Sequence, residues 1–250
     1  MRAAIKDIVK ACKGIFGEYL LCVILKGSGQ NHDFVPDYSD IDIHAYVEPR
    51  VLEERKSPKL EYVIRFQEAI GRLDPKKAGV SQFQVYFLPA DRRIEGWNPP
   101  VPGTYEILHG APVPAMQMTS LHEYLEQEWR YLSEARRDRL DLLGKFVDKP
   151  NSSISGLVRL TGTCLKGLLY ALSCVLTKDP GRAFSLTLDQ MLSYACEQSQ
   201  ELSHARSFFD AITNWGEIEK DPRKAREAFA LGIRALEAIE RWQVANPKRF

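Results

Sequence analysis

Asp40-Ile41-Asp42-Ile43 alternates charge and hydrocarbon with a period of two, and few local structures accommodate that alternation. In a β-strand successive side chains project to opposite faces, so Asp40, Asp42 and His44 share one face while Ile41, Ile43 and Ala45 share the other. One face is dry and suits a core; the other carries two like charges one pleat apart. Such a pair repels, and a strand keeps it only when a divalent cation or another positive group sits between the carboxylates. Upstream, Tyr19 to Leu25 is an almost unbroken apolar strand pattern. It runs into Lys26-Gly27-Ser28-Gly29, where small residues let backbone N–H groups approach an anion closely. The two halves of the pattern suit one chemistry, because Mg²⁺ is ordinarily held by one or two carboxylates together with substrate phosphates.

An apolar strand, Gly27-Ser28, a loop from Gly29 to Ser39, then Asp40-Ile41-Asp42-Ile43 on the next strand resembles the signature of the nucleotidyltransferase superfamily that includes DNA polymerase β. The form Ser39-Asp40-Ile41-Asp42 is similar to that of its small bacterial members, the aminoglycoside nucleotidyltransferases and the minimal nucleotidyltransferases. The resemblance covers about Ile5 to Leu88 and is architectural beyond that. It implies an α+β fold, a small mixed sheet with flanking helices followed by an all-helical bundle. It also implies that Gly27 and Ser28 grip the β- and γ-phosphates of a nucleoside triphosphate. Asp40 and Asp42 would then be the catalytic, Mg²⁺-binding pair, with a third carboxylate on a later strand completing the site.

That third position has no evident owner. The later strand is expected over Ser81 to Leu88, where Phe83, Val85 and Phe87 alternate with Gln82, Gln84 and Tyr86. With the apolar set facing the core, Gln84 or Gln82 falls where the family has an acid, and a glutamine cannot act as a general base. Three readings stay open. Another carboxylate such as Glu106, Asp91 or one from the second domain substitutes; the acceptor's own group needs little deprotonation; or the chain binds without turnover.

Helical spacing of Ile5, Ile8, Val9, Cys12, Ile15, Phe16 and Tyr19 predicts an N-terminal helix, and Leu60, Val63, Ile64, Ile70 and Leu73 predict another, closed by Asp74-Pro75. The Pro-rich stretch from Pro89 to Pro114 reads as a connection with a short helix beside the site. From Thr119 the pattern is wholly helical, with Thr119 or Ser120 as the first cap and Glu123 beyond it. Four stretches are expected: Leu121 to Phe146, Ser153 to Leu176, Leu186 to Asn214 with a break near Gln200, and Pro222 to Val244. The domains are therefore drawn as 1–117, the nucleotidyltransferase-like core, and 118–250, an acceptor-binding bundle. Trp215, Phe229 and Trp242 are assigned to the bundle core, and Arg136, Arg137 and Arg139 to an ion-paired helix face. Lys166 and Arg159, two turns apart on one helix face, either reach the triphosphate from the second domain or are solvated.

Charge narrows the partners. Residues 1–117 carry 15 Lys/Arg and 15 Asp/Glu, and residues 118–250 carry 19 and 18, so neither half has the cationic excess of a nucleic-acid binder. A small-molecule acceptor is expected instead. Met1-Arg2 leads into an amphipathic pattern rather than a signal peptide. The longest uncharged apolar run, Gly167 to Thr177, falls short of the ~20 residues that span a bilayer, so no membrane partner is expected. Five cysteines without a C-x-x-C pair fit a reducing, cytoplasmic setting.

The expected activity is Mg²⁺-dependent transfer of an NMP from an NTP to a hydroxyl of a small acceptor. The alternatives are a catalytically silent nucleotide- or partner-binding relative, and an antitoxin-like minimal nucleotidyltransferase acting on a protein.

Overall fold

A computed structural model describes residues 1–27, 35–54 and 57–247 of the chain. It divides into two compact units, Met1–Thr119 and Ser120–Phe250, the first α+β and the second helical.

In the first unit, α1 (Arg2–Phe16) leads into β1 (Leu20–Lys26), β2 (Ile41–Val47) and a short hairpin of β3 (Leu52–Glu54) and β4 (Ser57–Pro58). Next come α2 (Leu60–Ile70), β5 (Phe83–Pro89) and β6 (Glu106–Gly110). Four of the strands form one mixed sheet in the order β5-β2-β1-β6, with β1 antiparallel to both β2 and β6, and β5 parallel to β2. Val23, Leu25, Ile41, Ile43, Ala45 and Val47 face one core together with Ile5, Ile8, Cys12 and Phe16 of α1 and Phe66 of α2. The opposite face buries Cys22, Ile24, Tyr46 and Leu88 beneath Ala90, Val113, Ala115 and Met116. Coverage on both sides explains why β1 reads as continuously apolar.

One expectation needs correction here. Within the stretch 89–114 the regular element is a strand, β6, not a short helix; a 3₁₀ turn at Pro114–Met116 follows it. The Glu106–His109 backbone pairs with Cys22–Leu25 of β1, whose edge would otherwise be unmatched. A helix of this length bounded by Pro and Gly could not repay its nucleation. In α2 the helix is where spacing places it, and its core side runs through Tyr62, Phe66 and Ile70, with Leu73 just beyond it. Leu60, Val63 and Ile64 are 65%, 42% and 49% exposed, and the anchor is Phe66, whose ring meets Phe87 edge-on at 5.0 Å. Two apolar stripes compete on one helix, and the larger aromatic surface wins the core.

The second unit comprises α3 (Leu121–Leu132), α4 (Glu134–Val147), α5 (Ile154–Thr177), α6 (Pro180–Ser185), α7 (Leu188–Gln198), α8 (Ser203–Ile212), α9 (Trp215–Lys220) and α10 (Pro222–Ala245). Ser120 caps α3, its hydroxyl accepting from the Glu123 N–H at 3.2 Å. The expected stretch from Leu121 to Phe146 is two helices, because the Ser133 hydroxyl and N–H both turn back to the Arg130 carbonyl and interrupt the ladder. Capping by Asp179, Thr187 and Asp221, the first and last followed by Pro at the opening helical position, sets the later starts.

Trp215, Phe229 and Trp242 are buried, and the Arg159 guanidinium lies over Trp215 at 4.7 Å. Arg139 binds Glu240 at 2.9 Å, tying α4 to α10, while Arg137 pairs with Glu134 and Asp138. The stretch Asn151–Thr177 is the one described helix that passes a length-and-composition test for spanning a bilayer, and half of its apolar window is buried in the bundle. All five cysteines are free; burial pushes the Cys12 thiol up to about 12 and Cys22 to about 11, so both are inert at neutral pH.

Gly232 is where α10 meets Thr161 of α5 and Phe208 of α8, and a β-carbon there would collide with the Thr161 methyl and press the Phe208 ring at 3.0 Å. Gly232→Val is therefore expected to destabilise the helical unit by about 1–3 kcal/mol. Urea unfolding monitored by circular dichroism would show a lower midpoint at an unchanged slope, whereas an unshifted midpoint would contradict the close crossing.

Candidate functional site

Strand register brings the charged residues into rows. On the face away from α1, Lys26, Asp42 and Gln84 are neighbours across β1, β2 and β5; the next row is Ile24, His44 and Tyr86. Gly27 leaves β1 at φ 68°, which L side chains rarely adopt, and a β-carbon built there would lie 2.5 Å from Asp42 Oδ2. The Asp42 carboxylate thus rests against the bare α-carbon of the turn, a packing open only to glycine. Ser28, expected to hold phosphate beside it, lies outside the described residues, as does the rest of 28–34.

Asp40 and Asp42 are both half-buried. Backbone bonds from the Ser81 N–H to the Ser39 carbonyl and from the Ile41 N–H to the Gln82 carbonyl carry the alternation of β2 back to Asp40, which sets both carboxylates on the Tyr86 side of the sheet; burial raises the Tyr86 phenol above its usual pKa, and Asp42 and then Asp40 add to the shift. Asp40 is held by its neighbour. Buried Ser39 accepts from the Val35 N–H at 2.9 Å, donates its own N–H to the Val35 carbonyl at 2.8 Å, and accepts from the Ser81 N–H at 2.8 Å. These bonds pin the start of β2 to the approach of β5.

Gln84, not the exposed Gln82, occupies the place beside Asp42. The Tyr86 hydroxyl donates to Gln84 Oε1 at 2.7 Å, which engages the amide oxygen and turns the NH₂ end away as a donor. Two of the carboxylates considered as substitutes point elsewhere. Glu106 pairs with Leu25, on the face toward α1, and binds Arg2 at 2.7 Å. Asp91, seven residues on from Gln84, lies past the far end of β5, which closes at Pro89.

Beneath the charges lies an aromatic layer absent from the sequence reading. His44, 8% exposed, packs against Tyr86 at 5.4 Å, Trp97 at 5.7 Å and Tyr46 at 6.4 Å, and its Nδ1 has no hydrogen-bond partner among the described residues. A cavity of about 20 Å³ beside it, lined by Tyr46, Arg92, Arg93, Trp97 and Asn98 among others, has room for one water but not for a nucleotide. Desolvation, and secondarily Lys26, hold the imidazole well below its usual pKa, so it is neutral at pH 7.

Lys166 lies half-buried on α5, in the other compact unit. Among the described residues no group of three or more His, Cys, Asp or Glu side chains could by itself hold a metal ion. Asp40 and Asp42 supply two hard oxygen donors on one side of the sheet, which fits a Mg²⁺ that completes its shell with phosphate and water. No protein-family model matches the chain, and no curated protein matches it by sequence.

The neutral His44 carries a pH signature. Its folded pKa is depressed below the unfolded value of 6.5, so the unfolded state takes up the extra proton. The contribution is complete above that pH and is lost as pH falls below it, by up to ~1.4 kcal/mol per pH unit. His44→Phe is expected to flatten the decline of melting temperature between pH 6.5 and 5. Parallel profiles for the two proteins would show that His44 charges freely in the fold.

Proposed function

We propose that the chain is a Mg²⁺-dependent nucleotidyltransferase that moves an NMP from an NTP to an oxygen of a small acceptor, with pyrophosphate as the leaving group. The observation that carries this reading is the packing of the Asp42 carboxylate on the Gly27 turn, with Asp40 on the same side of the sheet. In it, Gly27 and Ser28 present the turn to the β- and γ-phosphates, and Asp40 and Asp42 hold the cation. A Mg²⁺ held by them would supply charge neutralisation at the phosphates.

The chain's own residues then position and stabilise. Lys26, opposite Asp42, limits carboxylate repulsion and adds positive charge near the phosphates. Gln84, fixed by Tyr86, offers an amide donor to an oxygen arriving beside Asp42. Neutral His44 and its aromatic neighbours exclude water beneath the row and keep the strand positions rigid. The acceptor hydroxyl oxygen bonds to the α-phosphorus as the bond to pyrophosphate breaks, and its proton passes to solvent or to the departing pyrophosphate. The balanced charge of both halves favours a small acceptor over nucleic acid.

A second reading, nucleotide or partner binding without turnover, is favoured by one observation: the position beside Asp42 is filled by a glutamine committed to Tyr86. Calorimetry with each NTP and Mg²⁺, followed by pyrophosphate release over candidate acceptors, separates the two, since binding without release selects the second.

Under the first reading, Asp42→Asn is expected to lower Mg²⁺-dependent nucleotide transfer by at least about a hundredfold while the circular dichroism spectrum and melting temperature stay near those of the parent. Unchanged turnover removes the carboxylate pair from the mechanism.

A further inference from the structure

The edge of the sheet opposite β5 carries a second feature, independent of the nucleotide reading. Among the described residues β6 pairs only with β1, so the backbone N–H and C=O groups along its other side form an open strand edge. Proteins usually guard such an edge with lysine or proline on the strand itself; Glu106-Ile-Leu-His-Gly110 has neither. The positive charge lies instead on the adjacent helix. Arg2, Lys6, Lys10 and Lys13 of α1 line a groove of about 670 Å³ beside β6, with Ile5, Val9 and Leu108 among its apolar lining. Glu106 neutralises Arg2 at one end, at 2.7 Å, while Lys6, Lys10 and Lys13 form no ion pair with any described residue.

We propose that this groove docks an acidic, extended segment of a partner protein, which adds to the free edge of β6 as a further strand. The dimensions agree. Lys6, Lys10 and Lys13 rise about 10 Å along α1 in steps of about 6 and 4.5 Å, and alternate side chains of a strand are spaced about 6.6 Å apart, a difference of ~3 Å over three positions that the long lysine stems absorb. Successive acidic residues on one face of an added strand therefore meet successive lysines. The intervening residues point to the other face of the sheet, where Ile107, paired with Ile24, is 42% exposed. The segment so recognised alternates Asp or Glu with an apolar residue. Main-chain bonds to β6 supply affinity, and the lysine row supplies the choice of sequence and its salt dependence.

The test uses the full chain and two fluorescein-labelled octapeptides, one alternating glutamate and valine and one alternating lysine and valine. Fluorescence anisotropy is expected to show saturable binding of the acidic peptide only. Lys6→Glu/Lys10→Glu is expected to weaken it at least about tenfold. Ile107→Lys, which guards the edge without touching α1, is expected to weaken it similarly, and bound peptide should slow amide exchange within Glu106–Gly110. Equal binding of the basic peptide, or unchanged exchange in β6, overturns the proposal. So does displacement by a single-stranded RNA oligonucleotide with the same lysine dependence, which would mark a polyanion site. A dimer by light scattering, with β6 already protected, would show that a second copy takes the edge and also overturns it.

Discussion

Two carboxylates stand on one side of a narrow sheet, and the nucleotide chemistry proposed for this chain depends on what makes that tolerable. The antiparallel register of β1 and β2 provides part of the answer by setting Lys26 directly across from Asp42. Cross-strand neighbours lie about 5 Å apart, close enough for opposite charges to stabilise and like charges to destabilise by a few tenths of a kcal/mol to about 1 kcal/mol. The rest comes from Gly27, whose missing side chain lets the Asp42 carboxylate settle against the turn rather than project into water. In the reading advanced here a hard cation with bound phosphates completes the charge pattern.

Rigidity beneath this arrangement comes from the two cores. Ile41, Ile43, Ala45 and Val47 lock β2 against α1 and α2, so β2 cannot slip by one residue without turning its carboxylates into hydrocarbon. On the other side His44, Tyr86 and Trp97 form a layer of ring contacts, and Tyr86 fixes Gln84 with its hydroxyl. The same tyrosine thus links the packed layer to the row of charges above it. A neutral histidine in that layer is consistent with its burial and adds no charge that would compete with the carboxylates.

Much of this was legible in the chain because it depends on local periodicity. The alternation in Asp40–Ile43, the apolar run into Gly27 and the cap at Ser120 each report on residues within one turn or pleat of one another. Lys26 carried no local signal: its importance arises from register between two strands separated by a loop. β6 was hidden for the same reason, since a five-residue run in a Pro-rich stretch becomes a strand only when β1 offers an edge. Spacing located α2 but could not choose between its aliphatic and aromatic stripes, a choice made by Phe87 on a distant strand. Within the helical unit, Ser133 looks like any helix-tolerated residue until its hydroxyl turns back on Arg130. Gln84 is the instructive case, since alternation narrowed the position beside Asp42 to two glutamines and pairing with β2 selected one.

Whether the Asp40 and Asp42 carboxylates hold a divalent cation with a triphosphate is measured most directly by electron paramagnetic resonance of Mn²⁺ with a non-hydrolysable NTP analogue. The account predicts that free Mn²⁺ signal is lost when protein and analogue are both present, and that Asp40→Asn and Asp42→Asn each restore it to the level seen with the analogue alone. Equal loss of signal with the parent chain and both variants would place the metal elsewhere and contradict the account.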